Sequence, residues 1–227
     1  MGEILKQLPR EERVNQLLKE TGTELKGHFI AASGKHLDTY IDKRLIYPDT
    51  EVTSEICGMF AEDFKDKNIE VVIAPAVGGI ILSFETARQL TKMTGKKAYS
   101  IFLEKKKEGG FEIHGNLGKE KVYGKRALIL DDILTTGGSL KEVVDETTKH
   151  GGNIAGVGVI RKRGDVTSKD IGVSDDVKID ALSTVKLPDW TEEECAVSGP
   201  CSKGIPVNPN LGRGKEYLAK KQTSDNP

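Results

Sequence analysis

The chain has 227 residues, of which 37% are hydrophobic and 30% charged, and its 34 basic and 35 acidic side chains leave a net charge of −1. A chain of this length can bury a full core in one domain, and the balanced charge excludes a polycation for non-specific nucleic-acid binding. No apolar run approaches the ~20 residues that a membrane span needs, and residues 1–10 lack the apolar stretch of a secretory signal. Three cysteines argue against a disulfide framework. We therefore expect a soluble, cytoplasmic protein.

Helix and strand signals alternate along the chain, as in a parallel sheet whose strands are joined by helices. Periodicity and breaker residues predict helices over 10–20, 49–67 and 138–150, and a further one from the break at 75–79 to about Met93. Strands are predicted over 27–33, 39–47, 70–74, 97–103, 126–130 and 154–160. The pattern predicts an α/β fold, with the polar residues after Leu218 frayed.

The strand predicted at 126–130 is followed by two acids and then by a turn of small residues that leads into a helix. Backbone N–H groups in this turn would bind a phosphate with help from the helix dipole. They belong to Thr135, Thr136, Gly137, Gly138 and Ser139. Asp131 and Asp132 would accept hydrogen bonds from two vicinal sugar hydroxyls, so the segment predicts a ribose-phosphate site. The alternative is a buried strand that ends in a capping Asp132, with Asp131 merely exposed.

A second loop with paired glycines follows the strand at 70–74. Its proline and glycines let the backbone pass close to a bulky anion, and the N–H groups from Val77 to Ile80 would bind pyrophosphate. The candidate residues are Ala76, Val77, Gly78 and Gly79. An ordinary strand-to-helix turn with glycines for tight packing is the alternative.

Residues 104–118 combine three consecutive lysines, Lys105 to Lys107, with the hairpin signal Gly109-Gly110. They predict a two-stranded flap over about 104–125. A flap would exclude water from a neighbouring binding site. Lys105, Lys106 and His114 are the candidates to contact pyrophosphate, and the alternatives are a solvated lysine run and a surface histidine.

The segment 127–139 resembles the phosphoribosyl-pyrophosphate signature of type I phosphoribosyltransferases, and the loop at 74–79 is similar to their pyrophosphate loop. The resemblance implies the type I phosphoribosyltransferase fold, a central, mostly parallel sheet flanked by helices and carrying a flap. It implies catalytic roles for Lys105, Asp131 and Asp132. It also implies Mg²⁺ held by substrate and water near the two acids, without a direct protein ligand. We predict a phosphoribosyltransferase domain over 1–188 and a C-terminal extension over 189–227.

Residues 27–43 resemble the opening of orotate phosphoribosyltransferases, with Phe-x-x-x-Ser-Gly followed by an aromatic strand. The resemblance places the base near Ser33, Gly34, Tyr40 and Ile41 and implies that Arg163 binds the orotate carboxylate, which a guanidinium can hold in bidentate fashion. It further implies a homodimer with shared active sites, in which the flap reaches into the neighbouring subunit. A purine or another pyrimidine as the base, and a non-catalytic regulator that senses phosphoribosyl pyrophosphate, are the alternatives.

The C-terminal extension contains Cys195 and Cys201. A zinc site would need two more ligands, and no histidine follows His150 in the sequence. The sequence therefore favours a structural role for the two cysteines without a metal.

Overall fold

The computed structural model describes residues 8–224. The helices are α1 (Arg10–Glu20), α2 (Thr50–Phe64), α3 (Gly78–Thr94), α4 (Gly115–Val122), α5 (Gly138–Lys149), α6 (Glu192–Ser198) and α7 (Gly214–Ser224). The strands are β1 (Glu24–Ile30), β2 (His36–Ile41), β3 (Val71–Pro75), β4 (Tyr99–Lys105), β5 (Phe111–Glu112), β6 (Arg126–Leu134), β7 (Asn153–Arg163), β8 (Ile179–Val185), β9 (Asp189–Trp190) and β10 (Val207–Gly212). Among the described residues, no helix is long and apolar enough to cross a membrane.

These elements form two compact units, which are described separately. The large unit comprises residues 8–21 and 43–185, and the small unit comprises residues 22–42 and 186–224. The predicted domain boundary after residue 188 lies close to the one between residues 185 and 186. The grouping of residues 22–42 with the C-terminal segment was not predicted.

The large unit contains a six-stranded sheet in the order β5-β4-β3-β6-β7-β8. All neighbouring pairs are parallel except the β4–β5 hairpin, which is antiparallel. The central strands are buried on both faces, since alternate residues of β3 and β6 enter different apolar clusters: Val72 and Leu128 pack with α2 and α3, whereas Ile73 and Ile129 pack with α5. Burial on both faces explains why these strands read as continuous apolar runs. The predicted α/β fold is confirmed.

Local signals account for two helix boundaries of the large unit. Asp49 caps α2, because its side chain accepts hydrogen bonds from the backbone N–H groups of Glu51 and Val52 at 3.1 Å. Gly95 ends α3 in the left-handed conformation, with φ +70°. The helices α1, α2 and α5 agree with those predicted over 10–20, 49–67 and 138–150 to within a few residues.

The small unit is a four-stranded sheet in the order β10-β1-β2-β9. The strands β1 and β2 form an antiparallel hairpin, β2 pairs with β9 in antiparallel fashion, and β10 pairs with β1 in parallel fashion. The helices α6 and α7 complete the unit, together with a short helical turn at Cys201–Lys203.

Four predictions about individual segments were wrong. The strand β6 continues to Leu134, so the two acids lie within it and not at its end. Residues 43–45 form a short helical turn and not a strand, and residues 115–122 of the predicted two-stranded flap form α4. The helix α7 extends to Ser224 where fraying was expected after Leu218, and the last three residues of that prediction lie outside the described part of the chain.

Candidate functional site

The turn predicted to bind phosphate joins β6 to α5. Gly137 has φ +82°, and a Cβ atom there would lie 3.0 Å from side-chain carbons of both Val166 and Ile171. Glycine is therefore required for backbone conformation and for space. The helix begins at Gly138, so the N–H groups of its first turn lack partners within the helix and point into the turn. This arrangement suits an anion.

Asp131 lines the same small pocket as the turn residues 133–140. Its side chain is 6% exposed, and its carboxylate accepts a hydrogen bond from the Asp132 backbone N–H at 2.8 Å. Burial, and then the charge of Asp132, raise the pKa of Asp131. The structure thus brings one of the two predicted acids together with the predicted phosphate turn.

Asp132 is 2% exposed and is held by two side chains that the sequence analysis missed. The Lys43 ammonium lies 2.8 Å from one carboxylate oxygen, and the Tyr47 hydroxyl donates to the other at 3.1 Å. Burial and the Asp132 charge raise the pKa of Tyr47, so this phenol stays a donor. A buried acid pair signals that a cation lies nearby, but the sequence offers 34 basic residues and does not say which one.

The loop predicted to bind pyrophosphate follows β3. The Ala76 N–H donates to the Leu103 carbonyl of β4 at 2.8 Å, and the peptide bond between Ala76 and Val77 is cis. A Cβ atom on Gly78 would lie 2.6 Å from the Tyr47 ring, and one on Gly79 would lie 2.7 Å from the Ala74 Cβ. Both glycines therefore permit close approach. Since Tyr47 contacts Gly78 and Asp132 alike, it links this loop to the acid pair.

The flap lysines lie at the end of β4. Lys105 is exposed and pairs with Phe111 of β5. It lies two residues after Leu103, whose carbonyl accepts from the Ala76 N–H. The hairpin closes through the Lys106 N–H, which donates to the Gly110 carbonyl at 2.9 Å. The predicted hairpin is thus present, and a pyrophosphate contact by Lys105 stays a prediction.

His114 lies at the start of α4, where its Nε2 is 2.8 Å from a carboxylate oxygen of Glu104. A pyrophosphate contact by His114 therefore stays a prediction, and it would compete with this pair.

Arg163 is the last residue of β7 and pairs with Val185 of β8. Its neighbour Arg161 has a different environment: it is 2% exposed, and its guanidinium contacts Asn15 at 2.7 Å and Ser183 at 3.3 Å. Arg161 is therefore held inside the large unit, whereas Arg163 is half-buried at the carboxyl end of the strand.

The predicted base-binding residues belong to the small unit. Ser33 and Gly34 form the exposed tip of the β1–β2 hairpin, where Gly34 has φ +86°. The Tyr40 ring packs against the Phe29 ring with centroids 5.4 Å apart, and Ile41 is half-buried beside it in β2. Their approach to a base stays a prediction.

Comparison with known proteins places this site in a family. A model of the phosphoribosyl transferase domain matches residues 48–188. The orotate phosphoribosyltransferase of Caldanaerobacter subterraneus subsp. tengcongensis is 36% identical over 202 residues, which cover 87% of this chain and 95% of the relative. That of a Thermoanaerobacter species is 36% identical over 197 residues, with the same coverage of both chains.

Solved structures agree on the fold. The chain is similar to an orotate phosphoribosyltransferase of Mycobacterium tuberculosis in complex with Fe(III) dicitrate, with TM-score 0.63 and 20% identity over 78% of this chain and 96% of that one. It is also similar to that enzyme in complex with 5-phospho-α-D-ribosyl 1-diphosphate, with TM-score 0.56 and 18% identity over 78% and 89%. Taken with the signature turn, the buried acids and the glycine loop, these matches show that the chain belongs to the phosphoribosyltransferase family, among the orotate phosphoribosyltransferases.

Proposed function

We propose that the chain transfers the 5-phosphoribosyl group of 5-phosphoribosyl 1-pyrophosphate to orotate, giving orotidine 5′-monophosphate and pyrophosphate. The observation that carries this proposal is the pocket shared by Asp131 and the turn at 135–139. N–H groups at a helix N-terminus, which favour an anion, and a carboxylate able to accept from sugar hydroxyls line one pocket there, which supports binding of a ribose 5-phosphate.

Each part of the phosphoribosyl substrate has a proposed partner. The N–H groups of residues 135–139 bind the 5-phosphate, and Asp131 and Asp132 accept hydrogen bonds from the ribose hydroxyls. Because Lys43 and Tyr47 already hold Asp132, its carboxylate is fixed before substrate arrives, which lowers the entropy cost of binding. The loop at 76–79 binds pyrophosphate, with Lys105, Lys106 and His114 of the flap.

The acid pair also fits Mg²⁺. Two adjacent, buried carboxylates supply the oxygen donors that this ion prefers, and the raised pKa of Asp131 indicates that a nearby cation would stabilise its charged form. Asp131 and Asp132 would hold the ion through water and through the substrate hydroxyls. When bound, Mg²⁺ neutralises negative charge on the pyrophosphate.

In the proposed reaction, the bond between the anomeric carbon and a pyrophosphate oxygen breaks and a bond to a ring nitrogen of orotate forms. The proton of that nitrogen leaves with the pyrophosphate. The protein positions the two substrates and stabilises the charge that grows on pyrophosphate, through the N–H groups of residues 77–80 and the Lys105 ammonium.

At the base-binding end of the site, Arg163 is proposed to bind the orotate carboxylate. The orotate ring is proposed to contact Ser33, Gly34, Tyr40 and Ile41. In support, Arg163 ends a parallel strand, and ligands of open α/β sheets bind beyond the carboxyl ends of the strands. A homodimer with shared active sites and a cytoplasmic location stay predictions from the sequence.

The test is pyrophosphate release from 5-phosphoribosyl 1-pyrophosphate with orotate, uracil, hypoxanthine, xanthine and adenine offered separately. We expect turnover with orotate, and none when Asp131→Asn and Asp132→Asn are combined, because the neutral amides lose charge-assisted bonds worth about 1.5–3 kcal/mol each. Higher specificity for a purine would refute orotate as the base. Tight binding of the phosphoribosyl substrate without release from any base would instead indicate the non-catalytic sensor.

A further inference from the structure

Four potential metal ligands meet inside the small unit, apart from the residues assigned above. His28 lies on β1, His36 on β2, Cys195 on α6 and Cys201 in the short turn that follows it. One ligand atom from each residue falls within a group whose members all lie within 4.8 Å of one another. His28, His36 and Cys195 are buried, and Cys201 is half-buried.

We propose that these two histidines and two cysteines bind one Zn²⁺ ion as a closed structural site. The Cys201 Sγ lies 3.5 Å from His36 Nδ1 and 3.8 Å from His28 Nε2, and the Cys195 Sγ lies 3.9 Å from His28 Nε2. Tetrahedral zinc, with bonds of about 2.3 Å to sulfur and about 2.0–2.1 Å to nitrogen, separates such atoms by about 3.6 Å. The two ring nitrogens are 2.7 Å apart and need to separate by roughly 0.6–0.7 Å to admit the ion.

The surrounding hydrogen bonds suit ligand roles. His28 Nδ1 lies 2.8 Å from the Ile205 carbonyl oxygen. It therefore carries the proton, and Nε2 is left with a free electron pair directed at the cluster. The Cys201 backbone N–H donates to the Cys195 sulfur at 3.2 Å, a contact that stabilises a thiolate.

The local sequence places the two cysteines. Thr191 and Glu194 form a capping box that starts α6 immediately before Cys195. A Cβ atom on Gly199 would lie 2.8 Å from the Cys195 sulfur and 3.1 Å from the Trp190 ring. Glycine thus lets the chain turn tightly after α6 and return Cys201 to the cluster.

The small unit has a small hydrophobic core, which a bound metal would reinforce. It contains about 60 residues, and apart from the proposed ligand Cys195 its buried apolar side chains among those described are Phe29, Ile30, Leu37 and Pro200. Units of this size commonly depend on a metal or a disulfide because their cores are small. Two thiolates balance the charge of Zn²⁺, and four protein ligands leave no open position for catalysis.

The ligands come from both segments of the unit, with His28 and Cys195 separated by 167 positions in the chain. The ion would therefore fasten the β1–β2 hairpin to the C-terminal segment. The sequence favoured no metal because no histidine follows the two cysteines, whereas both candidate histidines precede them.

The test is the metal content of the full-length protein, produced with zinc in the medium and purified under reducing conditions without chelator. We expect about one zinc per chain in the parent and in the matched control Cys57→Ser, whose cysteine is buried in the large unit. The variants Cys195→Ser, Cys201→Ser and His36→Asn should lose most of it. Cobalt substitution of the parent should give the ligand-field bands of tetrahedral Co²⁺ and a thiolate-to-cobalt charge-transfer band, and it requires no variant to fold.

Substoichiometric zinc in the parent, together with cobalt spectra that lack the thiolate band, would overturn the proposal. Zinc retained by the Cys195→Ser and Cys201→Ser variants would do so too. A disulfide between Cys195 and Cys201, seen by mass spectrometry in a second preparation of the parent made without reductant or chelator, would replace the metal with a covalent bond and would equally refute it.

Discussion

Substitution of Gly78 by alanine tests the contact between the loop at 76–79 and Tyr47, which donates a hydrogen bond to Asp132. An added Cβ would lie 2.6 Å from Tyr47 Cε2 and 2.7 Å from its hydroxyl oxygen. The ring must therefore move, and its hydrogen bond to Asp132 breaks. We expect lower stability, although alanine at a compatible helix position usually stabilises a protein by about 0.4–1 kcal/mol.

The magnitude follows from two losses. Overpacking costs about 1–3 kcal/mol, and the lost hydrogen bond to a buried carboxylate costs about 1.5–3 kcal/mol. Set against the gain from alanine, the net destabilisation is about 2–5 kcal/mol. Weaker binding of 5-phosphoribosyl 1-pyrophosphate should accompany it, since Asp132 loses one of the two side chains that position it.

Urea unfolding followed by circular dichroism, on the parent, Gly78→Ala, Tyr47→Ala and the double variant, measures the coupling. In the Tyr47→Ala background the space is open, so Gly78→Ala should be neutral or stabilising, with a coupling energy of about 2 kcal/mol or more. Gly138→Ala is the matched control, since Gly138 also begins a helix and a Cβ there meets nothing closer than 3.9 Å. Equal destabilisation by Gly78→Ala in both backgrounds would refute the contact.

Three further predictions concern single side chains of the site. Asp131→Asn should lose activity yet stabilise the fold by about 1–3 kcal/mol at neutral pH. Because burial raises the pKa of Asp131, the parent loses stability as the pH rises above the ordinary carboxyl value of about 4. The stabilisation by Asp131→Asn, measured by urea unfolding, should therefore grow with pH, and a stabilisation that shrinks with rising pH would contradict this. Lys105→Ala should lower the rate more than it weakens substrate binding, because charge on pyrophosphate grows in the transition state. If active sites are shared, hybrid dimers of one Lys105→Ala subunit and one inactive acid-pair subunit should recover activity. Arg163→Ala should raise KM for orotate by about 10–150-fold and leave KM for the phosphoribosyl substrate unchanged. The neighbouring Lys162→Ala should change neither KM value. Unchanged orotate kinetics in Arg163→Ala would remove Arg163 from the base site.

The turn between β6 and α5 was predictable because its determinants are consecutive. Thr135 to Ser139 follow an apolar strand directly, and the left-handed Gly137 can be read from the glycine pair. The extension of β6 to Leu134 was not predictable from periodicity, since Asp131 and Asp132 interrupt the apolar run. Backbone pairing with β7 continues through both acids and overrides their low strand propensity.

Contacts between distant segments of the chain could not be predicted from the sequence. Lys43 and Asp132 are separated by 89 positions, and nothing in either local pattern indicates the other. The segment 115–122 contains two glycines, which weaken a helix, so the sequence favoured a flap there although the structure forms α4. In both cases tertiary packing decides what local propensity leaves open.

The parallel pairing of β1 with β10 has a consequence for biogenesis. His28 lies opposite Val207 in this pair, and a ribosome that adds about 5–20 residues per second needs roughly 10–35 s to cover that interval. Throughout this time the nascent β1–β2 hairpin presents an open backbone edge, which invites pairing with other chains. Production of this protein should therefore respond to chaperone supply and to growth temperature, and nascent chains arrested before residue 207 should be the species that aggregate.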